Sequence, residues 1–306
     1  MPTLLEERPT VATEGAISPF PELLESPSFP FRFCFNTSTV RKHKLPLPDL
    51  CRLAAAAGYD AIEPWMDELE RFVAEGGSLS DLRSELLDIG LTVESAIGFF
   101  DWINNDDEKR EAGLVQARHD MTLLARLGGR RIAAPPFGVH TLGSPKIELL
   151  PSAERYRTLC VLGEELGVVP MVEVWGFSAN LNRLGEAALI AVESGHPDAS
   201  ILCDVYHLYK GGSPIDGLTL LSGNRLPVFH VNDYPDIAPE QIKDADRVYP
   251  GDGVAPLRRI LRNLDYSGFR GFLSLELFNE SYYQEDPLSV AKTGLGKLKR
   301  VVEDAL

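Results

Sequence analysis

The 306-residue chain is short of several features that would assign a class at once. It has four cysteines, Cys34, Cys51, Cys160 and Cys203, and none forms a CxxC pair. That argues against a disulfide-stapled scaffold or a cysteine zinc ribbon, and for reduced, buried thiols in a cytoplasmic protein. No run of about 18 apolar residues is present, so no membrane-spanning helix is expected. No basic start leads into an apolar stretch, as a secretory signal requires. The first 30 residues instead hold Glu6, Glu7, Glu14, Glu22 and Glu25 among several prolines, and read as an extended arm. Cations are scarce: 30 Lys and Arg against 45 Asp and Glu leave a net charge of −15, with no basic cluster. Such a surface repels phosphate backbones, so nucleic acid is not an expected partner.

From residue 31 onward, short apolar runs alternate with longer amphipathic segments. The expected strands are Phe31–Phe35, Ala61–Glu63, Thr92–Ala96, Arg131–Ala134, Pro170–Glu173, Ser200–Asp204, Val228–Val231 and Phe272–Glu276. Several are apolar throughout, as strands covered on both faces should be. Helices are expected over Leu47–Ala57, Leu79–Leu87, Glu108–Leu127, Ala153–Leu166, Leu184–Glu193, Ile215–Leu221, Ala255–Leu264 and Pro287–Asp304, several stopping at a glycine. Eight β-then-α units imply a parallel sheet with crossover helices, and that number suits a closed (β/α)8 TIM barrel over residues 31–306. A doubly wound sheet would carry a glycine-rich phosphate turn after its first strand; Asn36-Thr37-Ser38-Thr39 stands there instead.

In such a barrel the chemistry sits at the C-terminal ends of the strands. Strand five ends Met-Val-Glu173, strand six Leu-Cys-Asp204, strand seven carries His230 in Phe-His-Val-Asn-Asp, and strand eight ends Leu-Ser-Leu-Glu276. Four successive strands thus bring Glu, Asp, His and Glu to one rim, where unpaired charges would each cost several kcal/mol. A shared divalent cation removes that cost. Three carboxylates and one imidazole suit Mn²⁺ first, with Mg²⁺ or Co²⁺ as alternatives, better than a closed structural zinc site.

Glu173, the Asp204-x-x-His207 spacing, His230 in its Phe-His-Val-Asn-Asp context and Glu276 in Leu-Ser-Leu-Glu-Leu together resemble the xylose-isomerase-like barrels. The likeness is to their sugar phosphate isomerase/epimerase branch, which includes ketose 3-epimerases, inosose isomerases and dehydratases. It implies that Glu173, Asp204, His230 and Glu276 bind the metal, that Glu173 and Glu276 also exchange protons with substrate, and that His207 and Arg247 hold substrate oxygens. The implied activity is isomerisation or epimerisation of a keto-sugar or related polyol; elimination from an inosose, a dehydroshikimate-like compound or a 3-keto-glycoside is the alternative. Removal of a proton beside a carbonyl yields an enediolate, which a metal stabilises and two carboxylates can reprotonate from either face.

Other residues are candidates by placement. Glu63 and Glu94, in strands two and three, either line the pocket or pair with a buried cation. Trp65, Phe99, Phe100, Trp102 and Trp175 lie on or near rim loops, where aromatic faces stack on sugars or simply pack. His140, after strand four, is a further substrate contact. Trp175 departs from the small polar turn of better-known epimerases and narrows the expected pocket. No cluster of Lys, Ser and Gly cradles a phosphate, which favours a non-phosphorylated sugar or cyclitol. A homo-oligomer is expected by analogy with related barrels. Apurinic-site endonucleases share the barrel, but six histidines in all leave too few for their multi-metal centre.

Overall fold

A computed structural model describes residues 29–306. The arm expected over residues 1–30 lies outside them, apart from its last two positions. Eight short parallel strands are β1 (Arg32–Asn36), β2 (Ala61–Glu63), β3 (Thr92–Val93), β4 (Arg131–Ala134), β5 (Val169–Glu173), β6 (Ser200–Asp204), β7 (Val228–Val231) and β8 (Phe272–Leu275). Their order is β3-β2-β1-β8-β7-β6-β5-β4. The two ends of this sheet meet where the Ala96 amide donates to Arg131 and Ala96 accepts from Ala133, at 3.1 and 2.9 Å. The barrel is therefore closed, through a thin seam. The expected third strand extends to Ala96, but its regular ladder stops at Val93 and continues only as isolated bridges.

The helices are α1 (Leu47–Ala57), α2 (Met66–Ala74), α3 (Leu79–Asp88), α4 (Asp107–Leu127), α5 (Leu149–Leu166), α6 (Leu184–Glu193), α7 (Val205–Lys210), α8 (Leu257–Tyr266) and α9 (Pro287–Ala305). Two of them, α2 and α7, are absent from the sequence-based expectation. Only α7 follows its strand directly; α2 is separated from β2 by Pro64 and Trp65 alone, too short a stretch to announce it. The segment expected as a helix from Ile215 is a 3-10 turn, Ile215–Leu220.

Side-chain alternation divides the core in two. One set packs between the strands and the helical shell. The other lies inside the barrel: Cys34, Ala61, Ile97, Ala133, Met171, Leu202, Val228 and Phe272. Seven of these lie on strands, and Ile97 follows β3. Moving two residues along a strand keeps a side chain on the same face. Two positions beyond Cys34, Ala61, Met171, Leu202, Val228 and Phe272 stand Asn36, Glu63, Glu173, Asp204, His230 and Ser274, and Glu276 is two further on. The apolar floor of the barrel thus dictates which polar side chains share its C-terminal mouth.

Candidate active site

At that mouth Asp204, His230 and Glu276 each offer a ligand atom, all within 4.8 Å of one another. His230 Nδ1 lies 3.3 Å from Glu276 Oε2 and 3.8 Å from Asp204 Oδ2. Glu173 lines the cavity above them with Glu276, His207 and Arg247. Five buried atoms in and beside the mouth have no hydrogen-bond partner: His230 Nδ1 and Glu173 Oε2, with Glu63 Oε1, Asn232 Oδ1 and Arg247 Nε. Orphaned groups of this kind are rare in folded proteins, because desolvating them without a partner costs about 1–3 kcal/mol. Hard carboxylate oxygens beside an imidazole nitrogen fit a divalent cation, which would replace a proton on that ring.

The electrostatics follow from burial and crowding. Burial pushes Glu173 up to about 8, against the pull of His230 and with help from Glu276. Burial also opposes ionisation of Glu276, but His230 and Arg247 overcome it and hold this carboxyl far below the usual range. For His230, burial favours the neutral ring, yet Glu63 and Glu276 beside it keep its pKa well above the ordinary value. His207 is lowered, by burial first, with Asp204 opposing and Arg247 adding.

The Asp204-x-x-His207 spacing has a local cause. Asp204 Oδ1 accepts the His207 amide proton at 2.9 Å and so caps α7. Its other oxygen accepts from Asn232 Nδ2 at 2.9 Å and from Arg247 Nη1 at 3.1 Å. Arg247 is 1 % exposed and also reaches Glu276 Oε2 at 2.7 Å and Asp244 Oδ1 at 2.6 Å. Its guanidinium carbon stacks 4.4 Å from the Tyr206 ring and 4.9 Å from Phe278. The ring of His207 sits between Arg247 Nη2 and the Gly176 amide, each 3.3 Å from one of its nitrogens. Gly176 permits that approach: a Cβ there would lie 2.3 Å from the His207 carbonyl oxygen.

The cavity measures about 310 Å³ and is walled by Trp65, Phe99, Trp175, Phe177 and Phe278. This is at the small end of ligand pockets, which run roughly 300–1,000 Å³. Trp175 stands 6.0 Å from Phe99 and 5.2 Å from Phe177, centroid to centroid.

Of the candidates named from sequence, Glu173, Asp204, His207, His230, Arg247, Glu276, Trp65, Phe99 and Trp175 gather at this mouth. Others stand elsewhere. Glu63 is fully buried, and its partners are His230, Asn36 and Ser274 rather than the cavity. Glu94 pairs with Arg131. His140 packs edge-on against Trp175, at 5.3 Å, behind the wall. Phe100 and Trp102 are core residues, with Trp102 Nε1 donating to the Pro135 carbonyl at 2.8 Å. Sequence reading passed over Asn36, Asn232 and Ser274, although the two-residue period marks all three. It also passed over Phe278, which the same period marks two positions beyond Glu276, and Asp244, for which no comparable signal exists.

Residues 51–301 match the family model described as xylose isomerase-like TIM barrel, and the chain belongs to that family. It is 28% identical over 267 residues to an inosose isomerase of Bacillus velezensis, covering 85% of this chain and 94% of that one. It is 25% identical over 260 residues to a 3-dehydroshikimate dehydratase of Pseudomonas aeruginosa, covering 82% of this chain and 39% of that one. Among solved structures, the IolI protein with a binding zinc atom superposes with a TM-score of 0.83 at 24% identity, over 90% of this chain and 99% of that one. These sequence relatives are enzymes, an isomerase and a dehydratase. No helix of the described residues is long and apolar enough to cross a membrane.

Proposed function

We propose that this protein is a divalent-metal-dependent isomerase or epimerase of a non-phosphorylated keto-sugar or cyclitol. The observation that carries this reading is the pair of orphaned buried atoms, His230 Nδ1 and Glu173 Oε2, beside the carboxylates of Asp204 and Glu276. Asp204, His230 and Glu276 would hold the ion, with Glu173 as the fourth ligand; Mn²⁺ fits this donor set. That the IolI protein, of the same fold, binds a zinc atom supports a metal-dependent reading. A bound divalent cation supplies Lewis-acid stabilisation of the charge that develops when a proton leaves the carbon beside a carbonyl.

The chain's own groups do the rest. Glu173 on β5 and Glu276 following β8 stand three strands apart around the rim. One carboxylate takes a proton from carbon on one face, and the other returns a proton to the same carbon or its neighbour. Arg247 and His207 line the same cavity and are the polar groups that would meet substrate oxygens there. The aromatic wall stacks on the C–H face of a ring and keeps water from the proton being moved.

The test is solvent exchange. Mn²⁺-loaded protein is incubated in D₂O with inososes and a panel of ketohexoses, and deuterium entering carbon is followed by NMR. Deuterium should appear in substrate with the wild type, and incorporation should vanish in Glu173→Gln and Glu276→Gln. No exchange from any panel member would sink the isomerase reading. The dehydratase relative makes elimination the second reading, and a new ultraviolet enone band on turnover would favour it.

A further inference from the structure

Below the cavity lies a carboxylate that the proposed reaction does not use. Glu63, at the end of β2, has no exposed surface. Its Oε2 accepts three hydrogen bonds: from Ser274 Oγ at 2.7 Å, from Asn36 Nδ2 at 2.9 Å and from His230 Nε2 at 2.9 Å. The Asn36 amide is itself fixed, because its Oδ1 accepts from the Ser38 amide at 2.9 Å and from Trp65 Nε1 at 3.2 Å. Its Nδ2 also donates to Glu276 Oε1 at 3.2 Å.

We propose that Glu63 is the positioning residue of this centre, a buried carboxylate that accepts the Nε2–H of His230 and thereby turns Nδ1 toward Asp204 and Glu276. An imidazole ring can rotate and can carry its proton on either nitrogen. Only the partner of the distal nitrogen settles both. Here that partner is an anion held by two further donors, so the ring cannot turn without breaking a buried network. A carboxylate on the distal N–H also makes the opposite nitrogen a better donor to a cation. Asn36 extends the same network to Glu276 on one side and to the Trp65 ring on the other. Glu63 touches neither the cavity nor a reacting atom, so its role is to act through His230.

The inference rests on the metal reading above. Its test is titration calorimetry of Mn²⁺ into metal-free wild type, Glu63→Gln and Glu63→Ala. Gln keeps the size and one acceptor oxygen but loses the charge. Its affinity for Mn²⁺ should fall roughly 10- to 100-fold, while circular dichroism of the metal-free protein shows the fold retained. Glu63→Ala should bind more weakly still. A second measurement needs no metal: in histidine-labelled protein, one imidazole Nε2–H should lie far downfield, protected from exchange, and should move in Glu63→Gln. Wild type that binds Mn²⁺ with Glu63→Gln unchanged would overturn the positioning role alone. Wild type that binds no divalent ion would overturn the metal reading, and the positioning role with it.

Discussion

Arg247 Nη1 donates to Glu276 Oε2 at 2.7 Å and, 3.1 Å away, to Asp204 Oδ2, so one buried cation grips two of the proposed metal ligands. Removing one member of a buried charge set leaves the others uncompensated, at a cost of about 3–5 kcal/mol. Arg247→Gln should therefore destabilise the metal-free protein by about that amount, and added Mn²⁺ should restore part of it. Arg247→Lys keeps the charge but loses the planar fork that serves Asp204, Glu276 and Asp244 together. Its kcat/KM should fall about 100-fold, equivalent to about 2.7 kcal/mol. Steady-state kinetics and thermal melts with and without metal check both.

Asp204 caps α7 with one oxygen and faces the proposed ion with the other. Asparagine is an equally good helix cap, so Asp204→Asn should keep α7, but it loses the buried charge facing Arg247 and should melt below the metal-free wild type. It should not respond to the metal. In wild type, Mn²⁺ at 100 times its Kd should add about 2.7 kcal/mol of stability, reversed by a chelator. Calorimetric melts of both proteins with Mn²⁺ and then EDTA give the comparison; an equal response from Asp204→Asn would remove Asp204 from the ligand set.

Asp120 on α4 is 2 % exposed, accepts from Gln116 Nε2 at 2.7 Å, and lies near Glu70. Burial, against the Gln116 hydrogen bond and with Glu70 adding, pushes its pKa up to about 6 from 3.8. The folded state thus binds this proton more tightly than the unfolded chain. The associated stability is full below about pH 4 and is lost as pH rises through about 6. Asp120→Asn, which keeps the acceptor oxygen, should be more stable than wild type at pH 7.5 by about 1–2 kcal/mol. The difference should close by pH 4. Denaturant melts across that range would show it, and a constant offset would refute it.

Gly113 lies inside α4, where helix propensity alone favours alanine by about 1 kcal/mol. The packing says otherwise. A Cβ at this position would sit 2.3 Å from the Asp101 carbonyl oxygen, a backbone atom that cannot swing aside. Gly113→Ala should therefore destabilise, by about 1–3 kcal/mol as overpacking does. Urea midpoints decide the sign, and a gain in stability would show that the loop carrying Asp101 yields.

Much of this molecule was legible in its residues. The apolar runs marked the strands because a strand covered on both faces cannot alternate with polar residues. Helices α1 and α6 fell on their expected bounds, and α4 and α9 within one residue, because periodicity and end signals agreed there. The short α2 and α7 were missed because at most two residues separate each from its strand. The four strand-end groups Glu173, Asp204, His230 and Glu276 stood out because ionisable residues closing apolar runs need a common reason.

The sequence by itself determined the alternation, the barrel and the mouth at which chemistry is proposed, since all three follow from local periodicity and the order of elements. Only the tertiary structure decided which groups meet. It took Glu63 out of the cavity and set it under His230, 167 positions away. It put His140 behind Trp175, and it laid Arg247 across Asp204 and Glu276. Contacts between strands distant in sequence depend on register and closure of the barrel, and no local pattern of residues encodes those.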